Sequence, residues 1–148
     1  MSVLSGRYTA DQLAALEVAG SHPLIDGLLW ERDTVMLVGK EKAGKSIFAL
    51  QLACALSSGH EFLGTYDVLH AVPVAYIQAE GKLADTKSNF LRMTRVVPCK
   101  RANLCFFYYP SLAFDTADGY QQLDQSIKQW VPPKVFIIDP LYMFMQGD

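Results

Sequence analysis

Cysteine, histidine and charge imbalance are all scarce in this chain of 148 residues, and each scarcity excludes something. The three cysteines form no CxxC pair, and His22, His60 and His70 are scattered without ligand spacing, so no metal–thiolate or histidine metal site is expected. Cys54 lies in a stretch that reads as helix and Cys105 in an apolar run, where both suit a small buried hydrophobe; Cys99 follows Pro98 in a polar connection. The net charge is −2, so the chain as a whole lacks the basic signature of a nucleic-acid binder. A local basic stretch remains, with Lys82, Lys87, Arg92, Arg95, Lys100 and Arg101, and its plainest reading is a solvated helix face. No apolar run is long enough to span a membrane, and Met1 to Ala10 holds no apolar core behind basic residues. Neither a membrane span nor a signal peptide is therefore expected, and the cytoplasm is the expected compartment. There is no internal repeat or low-complexity segment.

What is present starts with hydrophobic residues, 51% of the chain, which are enough for the packed core of one domain. The sharpest local pattern is Gly39-Lys40-Glu41-Lys42-Ala43-Gly44-Lys45-Ser46, a complete G-x-x-x-x-G-K-[ST] phosphate-binding loop, the Walker A motif. Thr34-Val35-Met36-Leu37-Val38 precedes it and reads as a buried strand; Ile47 to Leu56 follows and reads as a helix. Gly39 and Gly44 lack a Cβ, so the backbone can curl with φ > 0 and bring its N–H groups to oxygen anions. The first turn of the next helix adds unpaired N–H groups and a positive dipole end. The expected nucleotide contact is thus the stretch Gly39, Lys40, Glu41, Lys42, Ala43, Gly44, Lys45, Ser46 and Ile47. The side chains of Lys40, Glu41 and Lys42 are solvated and carry no chemistry of their own. Lys45 can reach the β- and γ-phosphates of ATP, and Ser46 can place its hydroxyl on the bridging Mg²⁺.

Breakers and apolar runs divide the rest. Thr9-Ala10-Asp11-Gln12 resembles a capping box and predicts a short helix through Val18, ending at Gly20. Leu24 to Trp30 is an apolar lead-in and Glu31 to Asp33 a turn. Ser58-Gly59-His60 stops the loop helix. Strands are expected at Val72–Ile77, with Pro73 tolerable only near its start, at Asn103–Tyr108 and at Lys134–Asp139. Helices are expected over Leu83–Arg95 and Ala117–Trp130, closed by Pro98 and by Pro132-Pro133. Strands alternating with helices imply an α/β fold, a parallel sheet with flanking helices and right-handed crossovers, which is the P-loop NTPase arrangement.

Two carboxylates complete the candidate site. Val135-Phe136-Ile137-Ile138-Asp139 is an apolar strand ending in Asp139, where ligands bind in open α/β sheets; the aspartate can hold Mg²⁺ through a water, or cap the turn before Pro140. Tyr76-Ile77-Gln78-Ala79-Glu80 also ends a strand. Glu80 can polarise the water that attacks the γ-phosphate, or act as an acidic N-cap or first-turn residue for the next helix.

With "VAYIQAEG", "ANLCFFYYP" and "KVFIIDPLYMF" in that order after the GKS loop, the chain resembles the RecA-like ATPase core. "HPLIDGLLWERDTVMLVGKEKAGKS" and "IDPLYMF" look like the subgroup of AAA-family ATPases typified by the RepA hexameric replicative helicase of plasmids. The likeness covers roughly residues 21–148, with residues 1–20 as an N-terminal tail and helix. It implies ATP hydrolysis with Mg²⁺, coupled to movement on single-stranded DNA, in a homo-oligomeric ring with hexameric relatives. It carries over Glu80 and Lys45 as catalytic residues, and Ser46 and Asp139 as Mg²⁺-side groups; Gln78 lies near without a role. Only nine residues follow Asp139, whereas such cores continue with further strands, DNA-contacting loops, a sensor and an arginine finger. The chain is therefore expected to be the N-terminal part of a core, truncated after the Walker B strand, marginally stable and weakly active alone. Two other classes stay open: a nucleotide-dependent assembly or regulatory module without helicase activity, and a P-loop small-molecule kinase.

Overall fold

The computed structural model describes residues 7–17, 20–110, 113 and 116–144. Its centre is a three-stranded parallel sheet of β3 (Val74–Gln78), β4 (Leu104–Tyr108) and β5 (Val135–Asp139), in the order β4-β3-β5. The helices between and before these strands are α2 (Lys45–Ser58), α3 (Leu83–Met93) and α4 (Ala117–Lys128). A short hairpin, β1 (Pro23–Ile25) and β2 (Leu29–Trp30), and an N-terminal α1 (Ala10–Ala14) complete the order.

Alternation along β3 sets the two layers, since successive side chains point to opposite faces. Val74 and Tyr76 face one side, with Leu104, Phe106, Val135 and Ile137, and α2 and α3 cover them through Leu50, Ala53, Cys54, Phe90 and Met93. Ala75 and Ile77 face the other, with Phe107, and α4 covers them through Leu123 and Ile127, assisted by Trp130 just beyond its end. A parallel sheet with helices on both faces is thus present, and β3, flanked by strands on either side, is almost wholly buried. The core wraps α2 so completely that Ala53, Cys54, Ala55 and Leu56 are fully buried. Burial first, and then its neighbour Cys99, push the Cys54 thiol up to about 12, so it packs as a hydrophobe and is not a nucleophile. Cys105 is only half-buried, more open than its apolar run suggested. α2 stops at Gly59, whose left-handed φ of 72° closes the helix through an N–H to the Ala55 carbonyl.

Three expectations change. The helix begun by Thr9 has the full reciprocal capping box, but it ends at Ala14 rather than Val18. None of its residues is buried, and an unpacked helix of one turn does not propagate; Val18 itself lies outside the described residues. The lead-in Leu24–Trp30 folds back as the β1–β2 hairpin, placing Leu24 and Ile25 in the core. The largest difference is at Thr34–Val38, which forms no strand and pairs with none of the described residues; Val35, Met36 and Val38 are 69%, 74% and 80% exposed. A strand is stable only beside a hydrogen-bonding neighbour; β3 has both edges taken, by β4 and β5, and Thr34–Val38 joins the outer edge of neither of those two.

Candidate functional site

The loop between Val38 and α2 shows how its residues produce an anion cradle. Lys42 has φ 60° and Gly44 has φ 88°, so two left-handed residues curl the backbone before the helix begins. Gly39, expected to supply a positive φ, does not; a Cβ there would lie 3.7 Å from the Lys45 side chain, so its place in the loop is beside that stem. The first helical bond runs from the Phe48 N–H to the Gly44 carbonyl at 2.9 Å, so the N–H groups of Lys45, Ser46 and Ile47 precede the first intrahelical donor. The Lys45 ammonium folds back over the loop and donates to the carbonyls of Gly39 and Lys40, both at 2.8 Å. A hollow of about 320 Å³ is lined by Lys42, Gly44, Lys45, Ser46, Ile47 and Asn89. It adjoins an apolar groove bounded by Ile47, Asn89, Arg92, Met93 and Val96, between the start of α2 and the end of α3.

The register leaves both Glu80 and Asp139 at the carboxyl edge of the sheet. Gln78 lies opposite Asp139, and the Ala79 N–H donates to the Asp139 carbonyl at 3.2 Å. Asp139 Oδ2 accepts the Tyr76 hydroxyl at 2.6 Å. Burial, followed by that hydrogen bond, raises the Tyr76 phenol far above its ordinary range, so it stays a donor at any physiological pH. Glu80 Oε2 accepts the Tyr142 hydroxyl at 3.0 Å. The N-cap of α3 is Lys82, with no side-chain capping bond, so the reading of Glu80 as a cap for that helix does not hold.

Gln78, which had no role in the sequence, ties this edge together. Its amide nitrogen donates to the Glu80 carbonyl at 2.7 Å and its amide oxygen accepts from Thr86 of α3 at 2.7 Å. Tyr76, Thr86 and Tyr142 were also missed. Tyr76 had a readable signal: it and Gln78 share a face of β3, so once Gln78 is opposite Asp139, Tyr76 becomes its diagonal neighbour. Tyr76→Phe keeps the ring and loses only the donor to a carboxylate, so we expect a cost of about 1.5–3 kcal/mol. It is read as a lower urea midpoint with an unchanged m value; an unchanged midpoint shows that water replaces the hydroxyl at no cost.

Among the described residues no group of three or more His, Cys, Asp or Glu could hold a metal ion by itself. Ser46 and Asp139 are hard oxygen donors of the kind Mg²⁺ takes when phosphates and waters supply the other ligands, so the donor set fits a cation that arrives with a nucleotide. The six basic side chains of residues 82–101 are all exposed, as a solvated face should be. No helix among the described residues is long and apolar enough to cross a membrane.

A family described as AAA domain matches residues 7–148, and the chain belongs to that family of nucleotide-binding P-loop ATPases. No curated protein and no solved structure matches it.

Proposed function

We propose that this chain is the ATP-binding and ATP-hydrolysing module of a RepA-like DNA helicase, or of a related DNA replication or recombination ATPase. The observation that carries the nucleotide part is the parallel register, which leaves Glu80 and Asp139 at one sheet edge, with the Tyr142 hydroxyl on Glu80 Oε2. In this reading the backbone of residues 39–47 cradles the phosphates and Lys45 pairs with the β- and γ-oxygens. The nucleoside runs past Ile47 toward the groove at Asn89, Arg92, Met93 and Val96. Ser46 and Asp139 would hold the Mg²⁺, which would supply neutralisation of the phosphate oxygens. Glu80 orients the attacking water and takes its proton. The DNA part rests on the RepA-like segments of the sequence, with single-stranded DNA as the partner and a homo-oligomeric ring, hexameric in the type case, as the working form.

Single-stranded DNA added to the full-length protein with Mg-ATP tests this. Turnover is expected to rise with DNA, and sedimentation is expected to show assembly when Mg-ATP is present. Turnover that ignores DNA and rises with a small phosphate acceptor makes the protein a kinase instead. Assembly on Mg-ATP without any DNA response makes it a regulatory module.

A further inference from the structure

We propose that Tyr142 is a positioning residue for Glu80, pinning one carboxylate oxygen so that the other faces the attacking water. The inference rests on Glu80 being the general base. Tyr142 sits in a 3₁₀ turn, Leu141–Phe144, separated from β5 by Pro140 alone. The same short segment therefore carries Asp139 and, through the Tyr142 hydroxyl, reaches Glu80 from 62 residues away in sequence. Tyr142 is 66% exposed, so core packing does not account for it. Its hydroxyl bond to Glu80 comes first in raising its ionisation above the ordinary tyrosine range, and the loop residue Glu41 adds to the same effect.

Glu80 needs such a partner. Its backbone is fixed, because Gln78 holds its carbonyl and Thr86 holds Gln78. Its side chain is solvent-exposed, and a glutamate has several rotamers to lose before it can point at one place. A donor on Oε2 removes most of that freedom and leaves Oε1 as the acceptor for water. A hydroxyl suits this task better than an ammonium, since it orients the carboxylate without neutralising it.

The test is a double-mutant cycle on the full chain with Mg-ATP, using Tyr142→Phe, Glu80→Gln and the pair. Tyr142→Phe is expected to lower kcat about two- to tenfold, the range for losing one exposed hydrogen bond, with KM for ATP and affinity for a non-hydrolysable Mg-ATP analogue unchanged. In the Glu80→Gln background the same change is expected to do nothing. An unchanged kcat in Tyr142→Phe overturns the proposal. So does an equal loss in both backgrounds, which makes Tyr142 act independently of Glu80, and so does a raised KM, which makes it a nucleotide contact. Normal turnover by Glu80→Gln alone overturns the underlying reading of Glu80, and is visible without Tyr142.

Discussion

Lys45→Ala is expected to weaken Mg-ATP binding about 10- to 100-fold in titration calorimetry. In the structure the ammonium already sits at the mouth of the loop, held by the carbonyls of Gly39 and Lys40 at 2.8 Å. Those are bonds to neutral oxygens. A triphosphate offers charged ones, and hydrogen bonds between ionised partners are shorter and about twice as strong as neutral ones. A bond to a charged group is worth about 1.5–3 kcal/mol net, which converts to the fold-change given. Alanine removes the charge together with the strap that ties the loop to the start of α2. Lys40→Ala is the matched control, because Lys40 contributes its carbonyl and not its ammonium. It is expected to bind nearly as well as wild type. Equal affinity in Lys45→Ala and wild type would mean that the nucleotide, if any, binds elsewhere.

The parts of this molecule that could be read from its sequence are those whose signals are local. β3, β4, β5, α2, α3 and α4 fall within a few residues of their apolar runs, with Gly59, Pro98 and the Pro132-Pro133 pair as stops. Each of those runs also has a face or an edge to join. Thr34–Val38 looked no different from Val135–Ile138 by composition, yet it stays unpaired. An apolar run states that burial is favourable; it does not state which strand lies alongside. That Glu80 and Asp139 share an edge was legible because Asp139 ends β5, Glu80 lies two residues past β3 and the sheet is parallel, so strand ends collect on one side. The hydroxyls that hold them were not. Tyr76 meets Asp139 across 63 residues and Tyr142 meets Glu80 across 62, and both contacts depend on register and on a turn that no short pattern encodes. Gly39 makes the same point within the loop, because the motif requires a glycine there whereas the positive φ falls on Lys42.

Glu80→Gln separates chemistry from binding more sharply than any other change. Glutamine has the shape of glutamate, and its amide oxygen can still accept the Tyr142 hydroxyl that reaches Oε2 in the structure. Glu80 is exposed and caps no helix, so the substitution should leave stability within about 0.5 kcal/mol. What glutamine cannot do is accept a proton from water at neutral pH. Loss of a positioned general base costs a factor of about 10²–10⁴, so turnover should fall by that much while the affinity for Mg-ATP stays within about twofold. This pattern is the reverse of that for Lys45→Ala, in which affinity falls first. A single-turnover measurement at saturating Mg-ATP reads the chemical step without the ambiguity of product release. Near-normal hydrolysis by Glu80→Gln removes the base assignment, and Asp139 is then the next carboxylate to examine at the same edge. It accepts the buried Tyr76 hydroxyl on Oδ2; a carboxylate beside a divalent cation is a weaker base toward water, which is the physical reason for proposing two carboxylates for the two tasks.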